Sequence, residues 1–325
     1  MKKAKGKKGN KAVFPAIIAT VIALCIILIS SVMTKNNKRD SVQDDAQQTT
    51  TKQTAADTAD MTTTEPVGSE NLLDAYFIDI GQGDCALFIS DGMSMLIDSG
   101  VDEYADEVIR TVTDYGISTL DYVVVTHAHS DHMGSMADVI SAIDVENIII
   151  SEPCEDSSLT ATYEKFIDAM EACDAEIILA EPDYTFSFGN ADCTILAPFN
   201  VDSSNENNNS VVMHITAGET SFLLTGDMEK SVEKQIMEKY PMLDIDILKI
   251  AHHGSSTSSY KKFIAQISPE IGIISCGLNN RYNHPSEKTL ETLDENNVKY
   301  YRTDICSTIS VHCTADGYTL EMKEQ

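Results

Sequence analysis

Residues 123–136, VVVTHAHSDHMGSM, bring His127, His129, Asp131 and His132 together behind an apolar, β-branched run. Imidazole nitrogen and carboxylate oxygen are donors that Zn²⁺, and also Mn²⁺ or Fe²⁺, accept. The run reads as a strand ending near Val125, and loops at the C-terminal ends of strands often carry sites. In extended chain His127 and His129 point the same way. Asp131 and His132 then leave a turn before a helix. The set can give two donors to each of two adjacent ions. The competing reading is a polar turn with incidental histidines, and four donor-type residues at these offsets weigh against it.

Other positions could add chemistry. His284, in RYNHPS, precedes Pro285 and a helix start, as an anion contact or general acid on one reading and a plain loop histidine on the other. Arg281 beside it makes a local anion site plausible. GQGD at 81–84 has the look of a phosphate loop, but a tight turn needing positive φ explains its glycines. Lys249 reads as a strand residue solvating an edge. His312 reads as exposed, opposite the apolar series Ile309, Val311 and Cys313.

These side chains need a scaffold. LLDAYFIDI and DCALFIS read as strands, and MSMLIDSG follows across Asp91-Gly92, a two-residue hairpin signal. Ala105, Val108, Ile109 and Val112 fall at helical spacing before Gly116. DYVVVTH, ENIII and AEIILA are further strands, with a helix around 163–172. TFSFG, DCTILAP, SVVMHITAG and TSFLLTGD make a β-rich middle. DIDILKIAHHG is a strand ending in histidines. Helices near 229–239, 259–267 and 286–296, the strands IGIISCG and KYYRTD, and a closing hairpin complete the alternation. Two sets of strands interleaved with helices predict an α/β fold of two face-to-face sheets covered by helices on both outer faces, αββα.

The N-terminal part differs. Residues 1–12 are lysine-rich, and 13–33 run 21 residues without a charge. At 1.5 Å per residue that is roughly 30 Å, the thickness of bilayer hydrocarbon. The length favours an uncleaved single-pass anchor over a cleaved signal peptide, and bulky Leu24 argues against a lipid attachment at Cys25. The lysines should stay cytoplasmic, which places the rest outside the cell. Residues 34–70 lack aromatics and nearly all large aliphatics, as a disordered linker does. Residues 71–325 make the folded domain.

Of the chain's 23 basic and 51 acidic residues, ten and seven lie in 1–70, so 71–325 hold 13 and 44, a net charge of −31. Such a surface repels nucleic acid over most of its area. The eight cysteines include no C-x-x-C pair, against a zinc ribbon or a dense disulfide framework. No protein partner is evident.

His127-x-His129-x-Asp131-His132, with Asp98-Ser99-Gly100 before it and LLTGD and HHGS after it, resembles the metallo-β-lactamase superfamily. Within it, FIDIGQGDCALF, LLTGDM, LKIAHHGS and NRYNHPS look like the hydrolase domain of ComEC-type DNA-uptake proteins, over nearly all of 72–325. The resemblance implies two divalent ions, Zn²⁺ first and Mn²⁺ second, and a metal-bound hydroxide as nucleophile. His127 and His129 would hold the first ion, and Asp131, His132 and His253 the second, with Asp227 bridging. Asp131, His252 and His284 are the implied catalytic residues, His252 as substrate contact or proton donor. Asp98 would orient ligands by hydrogen bonds. The superfamily's further histidine on the first ion is missing. Here the interval holds only His214, which alternates with Met213 and Ile215 as a solvent-facing residue would. Asn209 or Ser210 of NNNS stands as a weak ligand or substrate contact, and Gly134-Ser135 replaces a usual glycine pair.

The expected activity is phosphodiester hydrolysis, on DNA or on a wall polymer such as phosphocholine-bearing teichoic acid. The alternatives are a cell-wall phosphocholine esterase or other small-ester hydrolase, a β-lactamase and a noncatalytic metal-dependent binding module.

Overall fold

The closing hairpin shows how these residues choose their faces. Along β14 (Ile309–Thr314) Ile309, Val311 and Cys313 are fully buried while Ser310, His312 and Thr314 stay partly exposed, the two-residue period of a strand with one face on a core. Helices follow the other period. Val108 and Val112 of α1 (Ala105–Asp114) are buried one turn apart, and Gly116 follows with φ +77°. In α4 (Ala161–Ala172) Thr160 caps the N-terminus by accepting from Tyr163 N, and Phe166 and Met170 are buried.

The computed structural model describes residues 71–322, all within the compact unit Gly68–Gln325. The basic segment 1–12, the anchor 13–33 and the linker 34–70 lie outside the described residues. Among the described residues no helix is long and apolar enough to cross a membrane.

The described strands, with β7 (Thr185–Phe188), β8 (Ala191–Ala197), β9 (Val212–Ala217) and β15 (Gly317–Met322) among them, form two sheets. The first has eight, ordered β15-β14-β1-β2-β3-β4-β5-β6, and the second seven, ordered β13-β12-β11-β10-β9-β8-β7. In the first, β3 (Met93–Ile97), β4 (Thr119–Val125), β5 (Asp144–Ile150) and β6 (Glu176–Leu179) are parallel. In the second, β10 (Thr220–Leu224), β11 (Ile247–Lys249), β12 (Ile271–Ile274) and β13 (Lys299–Arg302) are parallel. The remaining neighbours pair antiparallel, including β1 (Asn71–Phe77) with β2 (Ala86–Ser90), and β2 with β3 across Asp91-Gly92.

Three apolar clusters define the layers. One lies between the sheets and joins Phe77, Phe88 and Ile149 to Phe188, Ile215 and Phe222. A second packs the outer face of the first sheet under α1, α3 (Met136–Ala142) and α4. A third packs the outer face of the second sheet under α5 (Lys230–Lys239), α6 (Lys261–Ile267) and α7 (Glu287–Glu295). The αββα reading of the sequence is the observed architecture, and the C-terminal ends of the two parallel blocks meet at one edge.

The seven cysteines of the domain are all unpaired, and five are buried as small apolar residues. His214 is half-buried. Met213 and Ile215 belong to the inter-sheet core, so His214 faces the helix-covered side of the second sheet rather than open solvent. His312 is also not free: its Nδ1 lies 2.6 Å from Asp74 Oδ1 on the adjacent strand.

Candidate metal centre

Four strand ends supply the site. β3 runs into Asp98, β4 into His127, β10 into Asp227 and β11 into His252 and His253. The short helix α2 (Ser130–Met133) begins directly after His129 and turns Asp131 and His132 back toward the same point. His252 and His253 sit at φ 54° and 52°, left-handed for non-glycine residues, and Asp98 at φ 57°. Three such positions at one site are stored local strain, of the order of 1–3 kcal/mol each, held by the surrounding structure.

Two donor groups result. His127, His129 and Asp227 can bring one donor atom each within 4.8 Å of one another, and so can Asp131, His132 and His253. His127 Nε2 is 3.0 Å from His129 Nδ1 and 3.9 Å from Asp227 Oδ2. His132 Nε2 is 3.2 Å from Asp227 Oδ1, and His253 Nε2 is 3.5 Å from Asp131 Oδ2 and 3.6 Å from Asp227 Oδ2. Donors about 2 Å from a shared tetrahedral ion lie about 3.3 Å apart, so these spacings suit coordination. A direct test agrees. His132 Nε2 and Asp227 Oδ1, 3.2 Å apart, and His253 Nε2, 3.6 Å from the other Asp227 oxygen, are buried and make no hydrogen bond. Buried polar atoms are rarely left without partners, so this donor set is fitted to divalent ions.

The rings are held from behind. Asp98 accepts from Thr126 N at 2.8 Å and Thr126 Oγ1 at 2.7 Å, and its Oδ2 is 2.8 Å from His132 Nδ1. His253 Nδ1 lies 3.0 Å from the Ser275 carbonyl and 3.2 Å from Asp84 Oδ1. Asp84, His132 and Asp227 also bring donor atoms within 4.8 Å of one another. Yet it stands 3.9 Å from His132 Nδ1, the edge away from Asp227, and its Oδ2 pairs with Lys249 Nζ at 2.6 Å. It backs the ligand rings rather than joining them. Lys249 is therefore a buried partner of the centre and not the edge-solvating residue its strand position suggested. GQGD gives the centre Asp84 as well as a turn. Gly83, at φ +147°, has no room for a Cβ against the Asp131 carbonyl, and Asp84 N donates to that carbonyl at 3.0 Å.

Charge follows this packing. Burial opposes ionisation of Asp227, but His132, His253 and His127 hold its carboxyl well below the usual carboxylate range. Burial likewise opposes ionisation of Asp84, and Lys249 with His253 brings it down to about 2. Burial, then the neighbouring imidazoles, pushes His284 down to about 4; burial also lowers His252.

His129, Asp131, Asp227, His252, His253 and His284 line one cavity of about 280 Å³ with Asn207 and Tyr282. The ring centroids of His252 and His284 are 5.6 Å apart. Ser210 reaches the centre from the side: its Oγ lies 3.4 Å from His127 Nδ1 and accepts from Asp227 N at 3.0 Å. Asn209 points elsewhere. It is buried, accepts from Asp202 N and donates to the Asp202 carbonyl and to Glu206, so its amide is not offered to a ligand. Arg281 is directed to its neighbour, stacking on Tyr282 and donating to its hydroxyl. Ser135, in place of a second glycine, donates to the Val101 carbonyl at 2.6 Å. The sequence reading missed Glu206, which is buried and accepts from Ala128 N, between the two histidines, at 2.9 Å and from Cys154 N at 2.7 Å. Asp84 is 48 and 169 residues from His132 and His253, Glu206 is 78 from Ala128, and Lys249 sits inside a strand signal, so no local spacing marks them.

A donor set of this kind, at one edge of an αββα sandwich, defines a class. Residues 78–278 match the Metallo-beta-lactamase superfamily, and the chain belongs to it, a superfamily of metal-dependent hydrolases. The relatives it matches include ComEC-like competence proteins. It is 33% identical over 256 residues to ComE operon protein 3 of Bacillus subtilis (strain 168), covering 71% of this chain and 32% of that protein. It is 27% identical over 229 residues to Competence protein ComA of Neisseria gonorrhoeae, covering 70% and 30%. The chain thus spans about a third of the length of these curated relatives. Among solved structures, CmlA, a diiron β-hydroxylase from Streptomyces venezuelae, superposes with a TM-score of 0.51 at 13% identity, over 77% of this chain and 55% of that one, a likeness of fold alone.

Proposed function

We propose that the protein is a binuclear metallohydrolase that cleaves phosphodiesters, held outside the cell by a membrane anchor at 13–33. The observation that carries this reading is the pair of donor groups, with Asp227 in the first and 3.2 and 3.6 Å from His132 and His253 of the second, on the wall of an open cavity that two further histidines also face. His127, His129 and Asp227 hold one ion, and Asp131, His132, His253 and Asp227 the other, Zn²⁺ or Mn²⁺. When bound, such ions supply Lewis-acid activation of water and positive charge for a phosphoryl group. The chain's own groups do the rest. Asp98 fixes the tautomer and tilt of His132, and Asp84 with the Ser275 carbonyl fixes His253. His252, steadied through Nδ1 by Thr257 Oγ1 at 3.1 Å, and His284 contact the phosphoryl or leaving oxygen and relay a proton to it.

Similarity to competence proteins supports DNA as the substrate. A second reading, a small or wall-linked phosphodiester, is supported by charge. Six of the domain's 13 cations, Arg110, Lys165, Lys239, Lys249, Lys261 and Arg302, are paired with carboxylates, and the remaining seven are set against 44 acidic residues, a poor track for a long polyanion. The test is turnover of bis-p-nitrophenyl phosphate, single-stranded DNA, phosphocholine esters and nitrocefin by the metal-loaded protein. Cleavage of the phosphodiesters and not of nitrocefin is expected. Metal binding without cleavage of any of them would leave the binding module.

A further inference from the structure

The two donor groups are unequal. A second ion would have Asp131, His132, His253 and Asp227 around it, whereas among the described residues a first would have only His127, His129 and Asp227. The loop 205–210, a single 3-10 turn (Glu206–Asn209), passes beside the first group, because Ser210 Oγ touches His127 and Val211 N donates to the Thr126 carbonyl. Of its three consecutive asparagines, Asn208 is tied to Asp202 and Ser231, and Asn209 to Asp202 and Glu206. Asn207 alone lines the cavity, with His129, Asp227 and His252.

Asn207 is 8% exposed. Its Nδ2 lies 3.4 Å from Glu229 Oε1 and 3.5 Å from His252 Nδ1. A carboxylate only accepts, so the nitrogen end of the amide must face Glu229. That leaves Oδ1 turned the other way, where it is buried and makes no hydrogen bond. A buried amide oxygen without a partner costs roughly 1–3 kcal/mol, and a fold that keeps one at the wall of a metal-fitted cavity has a ligand for it.

We propose that Asn207 Oδ1 is the fourth protein donor to the ion held by His127 and His129, in the place of an imidazole. The inference rests on the binuclear reading above. A neutral carbonyl is a harder, weaker donor than imidazole, so this site binds less tightly than its neighbour and gives Zn²⁺ a smaller advantage over Mn²⁺ than a three-imidazole site would.

The full chain, stripped of metal, is titrated with Mn²⁺, followed by the electron paramagnetic resonance of the free ion, and with Zn²⁺ against a chromophoric chelator. Two ions per chain are expected, one tighter than the other. In Asn207→Ala the tighter dissociation constant holds and the weaker one rises tenfold or more. In Asn207→His the weaker site gains tenfold or more for Zn²⁺ and its preference for Zn²⁺ over Mn²⁺ widens. Smaller changes in both variants overturn the assignment. Fewer than two ions on the unaltered chain would sink the binuclear reading itself, and this one with it.

Discussion

Lys249 Nζ stands 2.6 Å from Asp84 Oδ2, both groups are nearly fully buried, and the pair lies directly behind His253. The lysine also donates to the Ile250 carbonyl at 3.1 Å. Removing one member of such a pair leaves a buried charge without its partner, at a cost of about 3–5 kcal/mol. Lys249→Met is expected to lower stability by that order in urea unfolding. Lys249→Met combined with Asp84→Leu should recover most of the loss without restoring affinity for the second ion, because His253 Nδ1 then lacks its carboxylate. Equal affinity in the double variant and the native chain would show that the pair serves stability alone.

Asp227→Ala removes the one carboxylate that belongs to the first donor group and also stands within 3.6 Å of His132 and His253 of the second. Turnover of bis-p-nitrophenyl phosphate should fall by a factor of about 10³ or more, the order expected when transition-state charge loses its support, while circular dichroism stays native. Retained turnover in a folded variant would remove the shared carboxylate from the mechanism.

Glu206 ties the loop opposite to the first donor pair. In Glu206→Ala the amides of Ala128 and Cys154 lose their acceptor, about 1–3 kcal/mol for each buried N–H left unpaired. Both the unfolding midpoint and Mn²⁺ stoichiometry should drop, with the weaker ion lost first. A stability loss with both ions retained at native affinity would confine Glu206 to the fold.

Glu233 gives the domain a pH-dependent stability away from the centre. Burial raises its carboxyl from 4.5 to about 7, although it accepts from Ser259 N and Tyr260 N, which favour the charged form. The folded chain therefore binds this proton more tightly than the unfolded chain. Its contribution is complete below the unfolded value of 4.5 and is lost as pH rises through about 7. Across that window the native chain should lose about 3 kcal/mol relative to Glu233→Gln, measured as the pH dependence of the difference in urea midpoint. A flat difference between pH 4 and 8 would refute it.

The sandwich was readable because each strand carries its own period and the turns their own residues, as at Asp91-Gly92 and along Ile309, Val311 and Cys313. The donor motif was readable because its residues sit side by side in the chain. What escaped was whatever depends on contact between distant segments. Lys249 reads as an ordinary strand cation until Asp84 is folded against it. His312 reads as exposed until Asp74 on the neighbouring strand reaches it. In NNNS, composition pointed to Asn209 and Ser210, but only the 3-10 turn decides which amide faces the cavity. It turns Asn209 inward to Asp202 and leaves Asn207 on the wall.

His127, His129, Asp131 and His132 descend from one sheet; Asp227, His252, His253 and His284 descend from the other. At the far edge the sheets meet differently, with Asn190 N donating to Ser90 Oγ at 2.9 Å. Divalent ions held at the near edge would therefore clasp the two sheets together, opposite the contact at Ser90. Chelation of such ions should free amide exchange along the ends of β4 and β10 while the turn at Ser90 stays protected.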